Sequence, residues 1–153
     1  RNMKKSYLLI FVLILSALVF SAAFAQKDDA PIDTEEDWAD YYNSFDRCYQ
    51  LMDEYSEDLQ PYLDGKAPID SLKWKNLRQD LRWDVAVTCG YIMSVIEPDE
   101  WSDYTSELLY SSYYQLMGVE FTIQSIQNKN DPDLLSLAEQ MFKASMDLKT
   151  KIP

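Results

Sequence analysis

Histidine is absent from all 153 residues, glycine occurs only three times and cysteine only twice. Without an imidazole there is no Ser-His-Asp or Cys-His nucleophile, no histidine zinc site and no c-type haem attachment. The ferritin-like di-metal pattern, which needs Glu-x-x-His on helices, is excluded with them. Three glycines are too few for a turn-rich β protein, and no segment sustains apolar and polar alternation of period two. Cations are also scarce: 14 Lys plus Arg face 26 Asp plus Glu, a net charge of -12. Nucleic-acid binding draws its affinity from a cation excess that this chain lacks, so no nucleic-acid partner is expected. No catalytic residue, metal ligand or cofactor is assigned from the sequence, and the expectation is a protein that is not an enzyme.

The amino-terminal segment reads as an export signal. From Met3 the chain runs through Lys4-Lys5, an apolar stretch from Leu8 to Phe20, and small residues ending in Ala23-Phe24-Ala25. A positive start, an apolar middle and an A-x-A-like end are the three parts of a secretory signal peptide. Residues 1–25 are therefore expected to be removed, with Arg1 and Asn2 lying upstream of the start. An uncleaved anchor is the competing reading, since Leu8 to Ala25 carries no charge and is barely long enough to span a bilayer. After cleavage no membrane association is expected, and the destination is periplasmic or secreted. Removing the three cations of the segment leaves a net charge of -15 for residues 26–153. Residues 28–70 hold 14 acids against Arg47 and Lys66 alone, a run that is usually a solvated helix face aiding solubility. A calcium loop is not formed from it. The nearest imitation, Asn128 to Glu139, has Pro132 and Asp133 where a ligand and glycine belong.

Residues 26–33 are polar, contain Pro31 and read as a flexible tail; residues 34–153 divide into four helical segments. Thr34 before Glu35-Glu36-Asp37 is a helix start, with carboxylates where the helix dipole favours them. Trp38, Tyr41, Phe45, Cys48, Met52, Tyr55 and Leu59 then recur at spacings of three and four, a buried seam. Pro61 and Gly65 are expected to end this helix. Asp70 is expected to cap a second helix reaching Glu97-Pro98, with Trp74, Leu77, Leu81, Val85, Thr88, Ile92 and Val95 on one face. Asp99 is expected to cap a third, carrying Trp101, Leu108, Leu109, Ser112, Leu116, Val119, Ile123 and Ile126. Asp131-Pro132 opens a fourth, with Leu134, Leu137, Ala138, Met141, Ser145 and Leu148 on one side. Acids at Asp53 to Asp58 and bases from Lys73 to Arg82 favour an antiparallel pairing of the first two helices. The expected fold is all-α, an up-down-up-down four-helix bundle preceded by a cleavable signal peptide.

Three constellations could carry function. Cys48 and Cys89 could bridge the first two helices in an oxidising compartment, although counting back from a turn at Pro61 leaves them five to seven positions out of register. Two buried free thiols are the alternative. Asp84 and Glu120 flank the apolar faces of helices two and three and as a carboxylate pair could do acid and base work, but nothing in the sequence brings them together, so ordinary pairing with Arg47, Arg78 or Arg82, or simple exposure at a bundle edge, is the expectation. The third is a second apolar stripe on helix three, Tyr110, Tyr114, Met117 and Phe121, half a turn from the main face, echoed on helix two by Trp83, Ala86, Val87 and Gly90. Such a stripe must meet a neighbouring helix, a ligand or another protein. On this basis the chain is expected to be an exported interaction or accessory protein, binding a protein partner or a second copy of itself through Tyr110, Tyr114, Met117, Phe121, Trp83 and Val87. A helical bundle that holds a small ligand in an apolar, Tyr- and Trp-lined pocket is the alternative.

Overall fold

The computed structural model describes residues 35–153, with side chains from Trp38 onward. The signal segment, the tail and the Thr34 cap lie outside the described residues. Those described form four helical rods and no strand: α1 (Glu35–Glu54) with α2 (Ser56–Leu63), α3 (Leu72–Ser94), α4 (Thr105–Gln127) and α5 (Pro132–Lys149). A 3-10 helix, Asp99–Tyr104, leads into α4. Among the described residues no helix is long and apolar enough to cross a membrane.

The first rod runs past the proline expected to end it. Tyr55 N–H donates to the Leu51 carbonyl and Leu59 N–H to that of Tyr55, both at 3.0 Å, so the i to i−4 ladder carries across the joint between α1 and α2. Pro61 sits inside α2 on an exposed position. The one bond it cannot make belongs to the Glu57 carbonyl, which water can satisfy at an exposed site. Reversal comes instead at Gly65, whose φ of 67° lies in the left-handed region open to glycine. Lys66 and Ala67 N–H both return to the Pro61 carbonyl at 2.8 and 3.0 Å, closing the turn.

Two further boundaries move. Ser71 rather than Asp70 caps α3, its hydroxyl accepting from Trp74 N–H at 3.2 Å. The Asp99 segment winds as a 3-10 helix, and α4 begins at Thr105 without a side-chain cap. Asp131 caps α5 as its sequence implies, accepting from Asp133 N–H at 2.9 Å and Leu134 N–H at 3.4 Å, with Pro132 in the first turn. Asp131→Ala is expected to cost about 1 kcal/mol, seen as a lower urea midpoint with an unchanged slope.

The first rod and α3 run antiparallel. Between the first rod and α3, Lys73 pairs with Asp58 at 3.6 Å and Arg47 with Asp84 at 2.9 Å, so positions rise on one helix as they fall on the other. Opposite charges do face each other as the sequence implied, although the Arg47 pair has its acid on α3. Exposed pairs of this kind contribute from nothing to about 1 kcal/mol; they select an orientation more than they stabilise it. Arg82 with Glu120 sets the α3 and α4 register, and Ser145 Oγ donating to the Ser111 carbonyl sets that of α4 and α5. The shared core is built from Tyr41, Leu51 and Leu59, from Trp74, Leu81 and Ile92, and from Val119, Ile123 and Ile126, each at most 2% exposed.

Candidate functional site

The second stripe of α4 divides between core and surface. Met117 and Phe121, at 7% and 6% exposure, form a small buried cluster with Ala138, flanked by Leu134, Leu137 and Met141. The apolar side of α5 covers them. The expectation that these two belong to an open interaction surface is therefore corrected: their partner is the next helix of the same chain. Gly118 allows the approach, since a Cβ there would lie 2.5 Å from the Phe142 ring. Tyr110, two turns before Met117 and three before Phe121 on the same stripe, remains 58% exposed and stacks on half-buried Tyr114 with ring centroids 6.5 Å apart.

On α3, Trp83 is 64% exposed and Val87 41%, one turn apart and opposite the buried line of Leu81, Val85 and Ile92. Because Arg82 meets Glu120, Trp83 lies level with the Val119 region of α4. Tyr110 is nine residues nearer the start of α4, roughly 13 Å away along its axis. The structure thus leaves two exposed aromatic groups at different levels, and among the described residues no ring contact joins them.

Asp84 and Glu120 do not share a cleft. Asp84 Oδ2 accepts from Arg47 Nη2 at 2.9 Å and from the Tyr55 hydroxyl at 2.8 Å. Glu120 is held by both arms of the Arg82 guanidinium, at 2.7 and 2.8 Å, and by Gln124. Each carboxylate has its own arginine, the ordinary pairing the sequence favoured. Among the described residues no cluster of three or more acidic or thiol side chains could hold a metal ion.

The Asp84 site gives the protein an alkaline limit. Burial first, then the hydrogen bond and charge of Asp84, push the Tyr55 hydroxyl up to about 12. Burial likewise raises Tyr49 and Tyr113. A group whose pKa is higher in the folded than in the unfolded chain contributes stability below the unfolded value, near 10, and loses it as pH rises toward the folded one. Stability is expected to fall between about pH 10 and 12. Tyr55→Phe should make that fall shallower in denaturant titrations at stepped pH.

Cys48 and Cys89 are joined, with S–S at 2.08 Å and Cα atoms 5.0 Å apart. The register gap inferred from a turn at Pro61 closes because the first rod continues to Leu63. Cys48 lies fifteen residues before that end and Cys89 seventeen after the start of α3, an offset of about 3 Å.

Around the start of α1 the aromatic residues gather. Trp101, on the 3-10 segment, lies 4.7 Å from Phe45, 5.2 Å from Tyr42 and 6.1 Å from Tyr41 between ring centroids. The Tyr42 hydroxyl donates to Glu100 at 2.5 Å. Sequence periodicity assigned Trp101 to the apolar face of a helix; its role as the lid of this aromatic group depends on the 3-10 winding, which periodicity does not reveal. No protein-family model matches the chain, and neither curated proteins nor solved structures provide a significant match.

Proposed function

We propose that this chain is an exported, non-enzymatic interaction protein: residues 1–25 a cleaved signal peptide, residues 26–33 a tail, and residues 34–153 an up-down-up-down four-helix bundle acting in the periplasm or outside the cell. The observation that carries the binding role is Trp83, the largest side chain type, left 64% exposed on a helix whose opposite face fills the core. A large apolar ring held in water on a rigid helix is the kind of anchor that interfaces use. Val87 and Gly90 continue the stripe, and Tyr110 with Tyr114 offers a second contact further along the molecule. The partner is a protein or a second copy of this chain; neither nucleic acid nor, after cleavage, a membrane is part of the reading. Export is supported by the signal-like amino terminus and by the Cys48–Cys89 bridge, because disulfides persist in oxidising compartments.

The test uses the protein purified from its native host. Amino-terminal mass spectrometry should find Gln26 first. Sedimentation and affinity capture should show an assembly that Trp83→Ser weakens by about 2 kcal/mol or more, with helicity and thermal unfolding unchanged. A monomer whose associations survive Trp83→Ser and Tyr110→Ser together would refute the surface reading.

A further inference from the structure

A hollow of about 280 Å³ opens between the start of α1, the end of α3 and the start of α4. Its walls include Ile92, Val95 and Leu109, with Tyr41, Glu97 and Thr105 supplying the polar groups. Tyr41 is fully buried, its hydroxyl included, and among the described residues that hydroxyl has no hydrogen-bond partner. Buried hydroxyls are paired in nearly all folded proteins, so an orphan beside an open hollow points to a group that the hollow receives. Burial first and the charge of Glu97 second push the Tyr41 pKa up, which keeps the hydroxyl neutral and able to accept as well as donate.

The electrostatics fix the sign of that group. Glu97 accepts from the Thr105 hydroxyl, and among the described residues no lysine or arginine pairs with it. From Trp83 to Asn128 the chain has no cation at all, while Glu97, Asp99, Glu100, Asp103 and Glu107 crowd the connector and the first turn of α4. The carbonyl end of α3, at Ser94, adds the negative pole of a helix dipole. An anion would be repelled here. Apart from Tyr41, Ser94, Glu97 and Thr105 the walls are apolar, and the volume suits a body no larger than one ring with a short chain, since a cavity of roughly 150 Å³ already admits benzene.

We propose that this hollow binds a small primary amine, an alkyl- or arylalkyl-ammonium ion whose charged head sits between the Tyr41 hydroxyl and the Glu97 carboxylate and whose hydrocarbon lies on Ile92, Val95 and Leu109. The site is independent of the Trp83 surface and stands whether or not that surface binds a protein. A lysine side chain of a peptide carries the same chemistry, but a hollow of about 280 Å³ takes a free amine whole, with no peptide backbone to place outside it.

Calorimetry and ligand-detected NMR with the intact folded protein decide the matter, using 2-phenylethylamine, 2-phenylethanol and N-acetyl-lysine methylamide as probes. The amine is expected to bind at least about tenfold more tightly than the alcohol, as a charge-assisted hydrogen bond requires. Glu97→Gln keeps an oxygen for Thr105 and should erase that preference. Tyr41→Phe removes only an unpaired hydroxyl, so it should weaken the amine roughly threefold to tenfold while leaving thermal unfolding unchanged or slightly raised. No binding at about 10 mM, equal binding of amine and alcohol, or wild-type affinity in Glu97→Gln would each overturn the proposal. Tighter binding of the lysine amide than of phenylethylamine would overturn the free-amine assignment.

Discussion

Replacing Cys48 and Cys89 together by alanine is expected to lower the unfolding free energy by about 3 kcal/mol, within the 2–5 kcal/mol usual for a native bridge. The bridge spans a sequence separation of 41 residues. Closing a loop of that length removes conformational entropy from the unfolded chain worth about 4 kcal/mol in the loop-closure account. Alanine also gives up some packing, as both cysteines are at most 1% exposed. For a domain of this size the melting temperature should drop by roughly 10–15 °C, and the reduced wild-type protein should melt with the double variant. Helicity at 25 °C should persist, because the α3, α4 and α5 contacts do not pass through the bridge. Equal melting of the oxidised, reduced and alanine forms would show that the first rod and α3 are held in register by packing alone. The bridge also has a functional consequence: Tyr41 lies two turns before Cys48, and Ile92 less than a turn after Cys89. It fastens together two walls of the amine hollow, so reduction should weaken phenylethylamine binding at temperatures where the protein is still folded.

The helices were legible because their apolar positions recur at three and four, and Asp131-Pro132 spelled out one start completely. What could not be read was how the helices turn about their axes and slide past each other. Pro61 looked like a stop because proline breaks a helix interior, yet at a solvated position the lost bond matters little, and those extra residues decide whether the cysteines meet. The two apolar sides of α4 were visible, but hydropathy alone does not say which side a neighbour covers. Gly118 was the available signal, since a glycine within a helix marks a place where another group comes close. Its position among Met117 and Phe121 points to coverage by α5. Gly90, on the stripe of Trp83 and Val87, marks no such approach, since nothing lies within 4 Å of where its Cβ would be, and those two residues remain exposed. The orphaned Tyr41 hydroxyl had no sequence signal, because periodicity places the ring in the core and is silent about its oxygen.

The Gly118 contact also gives the sharpest test of how α4 and α5 pack. A Cβ at this position would meet Phe142 at 2.5, 2.7 and 2.8 Å from three ring carbons, closer than side chains tolerate. Helix propensity alone favours alanine over glycine by about 1 kcal/mol. Overpacking costs about 1–3 kcal/mol, and here the obstructing atoms belong to the body of a ring rather than to the tip of a flexible chain. Gly118→Ala is therefore expected to be neutral to destabilising by about 2 kcal/mol, the difference of the two effects. Gly118→Val, with two more carbons on a Cβ that already meets the ring, should lose about 3 kcal/mol and separate the helices enough to expose Met117 and Phe121. Phe142→Leu shortens the obstructing side chain, so in the Gly118→Val background it should recover part of the loss, a coupling that a double-mutant cycle in urea reads directly. Additive effects would mean that Phe142 does not fill the space above Gly118, and Met117 and Phe121 would return to the candidate surface. Coupling together with new self-association in Gly118→Val alone would show the same two residues acting as an interface only when α5 is pushed away, which is the behaviour expected of a stripe that the fold normally keeps for itself.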